Sequence, residues 1–160
     1  TDLINKYQNL IVTRTFSKIF ALAGLRLGWG YSNLQIVELL EKVRGPFNVN
    51  SIAQKIGIAI LKEKKFLDKS IKHNNKWRAI LPKKINSLGL KSYETYANFV
   101  LVKVDPLKFS KDKIIKLLYK KKIIVRNLDN YGLDDYFRVS IGSSPNIKKF
   151  LSELKKVIQD

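Results

Sequence analysis

The sequence predicts an α/β fold, and three observations carry that expectation. The second half alternates strand, helix, strand, strand and helix; two short apolar segments flank a glycine-containing turn near the front; and the middle repeats apolar residues at helical spacing. A small sheet with helices on one face buries such a pattern.

Taken in order, Asn9–Thr13 reads as a short buried strand and Leu25–Tyr31 as a second one after the turn. Asn33 is placed to cap a helix over Leu34–Val43, whose Ile36, Val37, Leu39, Leu40 and Val43 form an apolar stripe, and Gly45-Pro46 stops it. A further helix begins near Asn50 or Ser51, with Ile52, Ile56, Ile60 and Leu61 expected to face inward. Lys65–Leu88 predicts a long helix that Pro82 kinks or breaks and that Gly89 ends. After it come a strand at Asn98–Val104, a helix at Lys111–Lys121, strands at Ile123–Arg126 and Tyr136–Ile141, and a helix at Pro145–Ile158.

The 160 residues, 45% of them hydrophobic, suffice for one domain or two small ones. Cysteine is absent and His73 is the single histidine, which excludes a disulfide framework and argues against a metal site. A cytoplasmic location is compatible with that composition. No apolar run approaches the roughly 20 residues a spanning helix needs, and the first residues lack a secretion signal, so no membrane partner is expected. The chain starts with Thr1, close before the first strand, which leads us to expect a preceding N-terminal portion.

The net charge of +18 raises non-specific affinity for nucleic acid. Yet the 25 lysines far outnumber the 6 arginines and are spread along the whole chain, and Lys120-Lys121-Lys122 falls where a helix C-terminus favours cations. We read the balance as compositional drift towards Lys, Ile and Asn, and expect no specific nucleic-acid partner.

The densest chemistry lies in Thr15-Phe16-Ser17-Lys18-Ile19-Phe20-Ala21-Leu22-Ala23-Gly24-Leu25-Arg26-Leu27-Gly28-Trp29-Gly30. Two hydroxyls, an amine and an arginine can surround one anionic ligand. A lysine attacks an aldehyde only as the neutral amine, so burial and a neighbouring cation must lower its pKa, and Arg26 can be that cation while clamping a phosphate bidentately. A glycine-rich turn after a strand would be the ordinary reading of such a stretch.

Other distinctive segments are Val43-Arg44-Gly45-Pro46-Phe47-Asn48-Val49-Asn50, His73-Asn74-Asn75-Lys76-Trp77, Ala97-Asn98-Phe99-Val100-Leu101-Val102, Ile124-Val125-Arg126, Asn130-Tyr131-Gly132-Leu133 and Phe137-Arg138-Val139-Ser140-Ile141-Gly142-Ser143. With the lysine run, they resemble the histidinol-phosphate aminotransferase family, class II aminotransferases of the pyridoxal-phosphate-dependent fold type I. The match keeps the family's order and spacing over nearly the whole chain.

The resemblance implies the C-terminal part of that fold: the end of the large pyridoxal-phosphate-binding domain at 1–50, a helical connection at 51–88 and the small α/β domain at 89–160. It also implies a homodimer, and it puts most of the large domain, with other cofactor ligands, outside this chain. Lys18 resembles the Schiff-base lysine, and Thr15 and Arg26 match the cofactor's phosphate ligands. Ser17 is a further candidate that can instead orient the lysine. Arg138 resembles the arginine that fixes the substrate's distal anion, and Arg126 a second arginine reaching the phosphate of histidinol phosphate.

The remaining segments admit plainer readings. Asn48 or Asn50 caps the following helix, His73 and Trp77 form a packing pair one helical turn apart, and Tyr131-Gly132 makes a turn near the substrate end. The implied activity is transamination of histidinol phosphate with 2-oxoglutarate and glutamate as the exchanging pair. An aromatic amino-acid aminotransferase or a threonine-phosphate decarboxylase of the same fold is the alternative enzyme. The non-enzymatic alternative is an inactive fragment or a basic binding module, and we expect the 160-residue chain alone to be inactive.

Overall fold

The computed structural model describes residues 2–159, which divide into two units between Ile71 and Lys72. The first unit opens with helix α1 (Asp2–Lys6) and an antiparallel hairpin of β1 (Val12–Thr15) and β2 (Gly28–Tyr31), paired from Val12 opposite Tyr31 to Thr15 opposite Gly28. Helices α2 (Leu34–Val43) and α3 (Ser51–Leu61) follow. Each starts on an asparagine whose Oδ1 accepts a first-turn amide: Asn33 from Ile36 at 2.9 Å, Asn50 from Ala53 at 2.8 Å.

Two expectations for this unit need correction. The strands are displaced, because Ala23–Leu25 forms a 3₁₀ turn and Arg26 takes a left-handed conformation, leaving Leu25–Leu27 in the loop and moving β1 forward to Thr15. In α3, Ile52, Ile56 and Leu61 are exposed, and Ala53 and Gly57 are buried instead. Leu27 explains the choice: a Cβ on Gly57 would lie 2.5 Å from Leu27 Cδ2, so the helix presents its smallest residues where that leucine seats.

The second unit is built on a four-stranded antiparallel sheet. Its order is β3 (Lys91–Ser92), β4 (Phe99–Lys103), β6 (Tyr136–Ser140) and β5 (Arg126–Asn127). Val100 stands opposite Val139 and Val102 opposite Phe137, so these four line one face. That face packs against Trp77, Leu81 and Ile85 of α4 (Lys64–Asn86), Ile114 and Leu118 of α5 (Lys111–Lys120), and Ile147, Phe150, Leu154 and Val157 of α6 (Ser144–Gln159). Full burial of each large aliphatic side chain contributes about 1.5–3 kcal/mol.

Helix α4 continues through Pro82, so of the kink or break expected there the break does not occur, and Gly89 at φ +87° lies just beyond its end. The short strand expected at Ile123–Arg126 sits later, at Arg126–Asn127. After α5 the chain reverses through Lys122 at φ 58°, and 123–125 forms a loop in which Ile123 and Val125 pack on the core while Ile124 is exposed.

Candidate active site

Thr15 ends β1, and the loop between β1 and β2 carries Ser17, Lys18 and Arg26. Phe16 N–H donates to Leu27 O at 3.0 Å, extending the hairpin by one pair and bringing Ser17 and Arg26 to the mouth of the same loop. Inside it, Ala21 N–H donates to Lys18 O and Leu22 N–H to Phe16 O, both at 3.0 Å, folding Lys18 into a tight turn. Thr15 Oγ1 accepts the Ser17 amide at 3.0 Å, which leaves its hydroxyl proton available to a ligand.

Arg26 sits at φ 54° and donates through Nη1 to Ala23 O at 2.7 Å. A left-handed arginine costs of order 1–3 kcal/mol and marks a backbone fixed by its surroundings. Gly28 has no substitute here, since a Cβ would meet Arg14 O at 2.9 Å. Two hydroxyls, a guanidinium and an amine on one closed turn are a donor set that fits a phosphate-bearing aldehyde. Within this unit Thr15, Lys18 and Arg26 are exposed and Ser17 is half-buried, so the burial that a neutral Lys18 amine requires is not provided by the loop itself.

In the second unit Arg126 on β5 and Arg138 on β6 are direct partners across the antiparallel ladder. Both line a cavity of about 470 Å³ whose walls include Lys122, Ser140, Asn146 and Lys149, and no aspartate or glutamate. The Arg138 guanidinium lies 4.9 Å from the centre of the Phe99 ring, while its Nε is buried without a hydrogen-bond partner. Like charges directly opposite on neighbouring strands repel, and an anion held between them offsets that repulsion.

Sequence reasoning missed two groups. His73 and Trp77 are more than a packing pair: Trp77 is buried, and its Nε1–H donates to Ser144 Oγ at 2.9 Å while His73 Nε2 pairs with Gly142 O at 2.8 Å. Their spacing put them on one helix face but gave no sign of partners near residue 143. Lys111, with a side chain only 9% exposed, reaches Asn127 Oδ1 at 3.0 Å and the Asp129 carboxylate. Burial opposes its charge, but hydrogen bonding and attraction to Asp129 outweigh burial and raise its pKa. Asp129 is correspondingly held below the ordinary aspartate range by its hydrogen bonds to Lys111 and then Asn127. The capping reading of Asn50 and the turn expected at Tyr131-Gly132 agree with the structure. Asn50 caps α3, Asn48 accepts from Arg44 Nη1 at 3.3 Å, and Gly132 closes a 3₁₀ turn over Asp129–Tyr131.

The family model for aminotransferase class I and II matches residues 1–154. The chain belongs to this family. Among curated proteins, the histidinol-phosphate aminotransferase of Hyphomonas neptunium is 39% identical over 158 residues, covering 96% of this chain and 42% of that protein. The chain therefore spans less than half the length of such relatives. The crystal structure of the histidinol-phosphate aminotransferase from Clostridium acetobutylicum matches with a TM-score of 0.89 and 30% identity, over 99% of this chain and 48% of that one. The enzyme from Sinorhizobium meliloti, solved in complex with pyridoxal-5'-phosphate, matches with a TM-score of 0.79 and 25% identity, over 95% of this chain and 42% of that one.

Proposed function

We propose that the protein carrying this chain is a pyridoxal-phosphate-dependent aminotransferase that acts on histidinol phosphate, with 2-oxoglutarate and glutamate as the exchanging pair, in histidine biosynthesis. The observation that carries the substrate assignment is the Arg126–Arg138 pair, two arginines opposite each other in strand register that both line a cavity without a carboxylate. A phosphate dianion suits two arginines better than a single carboxylate does. The relatives' names supply the class of reaction, and the donor set of the β1–β2 loop supports the cofactor.

Thr15, Ser17 and Arg26 would hold the cofactor phosphate, and Lys18 Nζ would bind its aldehyde. Pyridoxal phosphate supplies the electron sink when bound. Lys18 Nζ would also be the base that takes the substrate's Cα proton and delivers it to the accepting carbon. Arg126 and Arg138 would anchor the anionic far end of the substrate. The reading includes the division at 1–50, 51–88 and 89–160, whose outer bounds take in Thr1 and Asp160, beyond the described residues. It also includes a homodimer in the cytoplasm, with cofactor ligands from outside this chain.

The experiment is a comparison of kcat/KM for histidinol phosphate and for phenylalanine in Arg126→Ala and Arg138→Ala variants of the full-length protein. Each charge-assisted contact to the anion is worth roughly 1.5–3 kcal/mol, about ten- to more than a hundredfold in binding. Arg126→Ala should weaken histidinol phosphate by that factor and phenylalanine far less, because a carboxylate can rest on Arg138 alone. Equal losses for both substrates would favour a general aromatic aminotransferase.

A further inference from the structure

One turn of α4 holds the end of the sheet from which Arg138 projects. His73 Nε2 lies 2.8 Å from Gly142 O, and because a carbonyl only accepts, that ring nitrogen carries the proton and donates it. Asn74 Nδ2 donates to Ala97 O at 3.3 Å, and Trp77 Nε1 to Ser144 Oγ at 2.9 Å. The three acceptors flank the two central strands. Ala97 lies two residues before β4, while Gly142 and Ser144 lie just after β6 and at the start of α6.

The segments so held are also tied to each other, through Ile141 N–H to Asn98 O at 2.8 Å and through Phe99 paired with Ser140 at the ladder's end. Arg138 stands two residues from Ser140, and the Phe99 ring beneath its guanidinium is the first residue of β4. Gly142 and Asn146, on the loop and helix start that α4 restrains, form part of the wall of the arginine-lined cavity. Both strands that set the direction of Arg138, and the wall facing it, are therefore hydrogen-bonded to three side chains within five residues of a single helix.

We propose that His73, Asn74 and Trp77 are positioning residues for Arg138: by pinning residues 97 and 142–144 to α4 they hold the Phe99–Arg138 stack and the cavity wall in register for an anionic substrate group. The catalytic part of this rests on the reading of Arg138 as the substrate anchor, but the positioning itself does not. Trp77 is both a core side chain and a donor, so the variants must separate the two roles. Trp77→Phe keeps an aromatic ring in the core and removes the Nε1–H. His73→Phe keeps a ring without a donor, and His73→Gln keeps an N–H donor without the ring.

In the full-length protein, His73→Phe and Trp77→Phe should raise KM for histidinol phosphate about tenfold with kcat within about twofold, the size of one lost hydrogen bond acting through substrate binding. His73→Gln should recover most of the loss. With 15N-arginine labelling and no substrate present, the Arg138 Nε–H resonance should shift and exchange faster with solvent in His73→Phe than in His73→Gln. An unmoved KM and an unmoved Arg138 resonance in His73→Phe and Trp77→Phe would overturn the proposal, as would His73→Gln behaving like His73→Phe. If Arg138→Ala leaves the KM for histidinol phosphate unchanged, the anchor reading falls, and the substrate-free Arg138 resonance still decides whether these side chains position it.

Discussion

The two units place their apolar residues in opposite ways. In the second, helices α4, α5 and α6 and the paired strands β4 and β6 close around one core, where Leu81, Leu118, Phe137 and Leu154 have no exposed surface. In the first, Phe16 and Ala53 are buried, but the helices leave Leu34 71%, Val43 79% and Ile52 63% exposed. Burial contributes about 25 cal/mol per Å² of apolar surface, so the second unit holds its main source of stability within itself. The first owes its shape to local devices: the Asn33 and Asn50 caps, the hairpin bonds, and the seating of Leu27 against Gly57. Self-sufficient packing and local definition are separable properties, and this chain separates them.

The sharpest way to break that comparison is to cut one leucine from each unit. Leu154→Ala should cost about 2–5 kcal/mol in the urea unfolding of the chain, because it opens a cavity in a closed core. Leu34→Ala removes a side chain already in solvent and should stay within about 0.5 kcal/mol. Similar losses at the two sites would refute the contrast. A smaller effect probes the local devices. Asn50→Ala removes the acceptor of the Ala53 amide and should cost roughly 1 kcal/mol, read as lost helicity and faster hydrogen exchange over α3. Exchange unchanged in α3 would mean that the cap does not define that helix.

The smallest expected effect lies at the Lys111–Asp129 pair. The Asp129 pKa is lowered on folding, so its contribution is present above the unfolded aspartate pKa and disappears as pH falls through the folded value. Lys111 is raised, so its contribution is present below the unfolded lysine pKa and disappears as pH rises through the folded value. The pair therefore supports the second unit across the neutral range and at neither extreme. The urea midpoint of Asp129→Asn should lie below the parent's near neutrality and converge with it in acid; curves that stay parallel down to acid pH would contradict this.

Much of the fold is legible in the sequence wherever a local rule decides it. Asn33 and Gly45-Pro46 bracket α2 at Leu34–Val43, the helix expected from Lys111 forms as α5, and the strand expected from Tyr136 forms as β6. Other features depend on geometry that one residue does not announce. Left-handed Arg26 and Lys122 are not glycines, and they displace the neighbouring strands. In α3 the close approach of Leu27 requires Gly57 at its contact point. For the candidate site, the lysine run and both arginines stand out from the chain. The facing of Arg126 and Arg138 is a matter of strand register, and the reach of His73 spans 69 residues, so neither can be read from spacing.

The most direct test of the account is chemical. The full-length protein is loaded with pyridoxal phosphate, reduced with borohydride, digested and mapped by mass spectrometry. The expected result is a pyridoxyl group on Lys18, with Lys18→Ala both unlabelled at that peptide and without transaminase turnover. Labelling confined to any other lysine, or sustained turnover by Lys18→Ala, would contradict it.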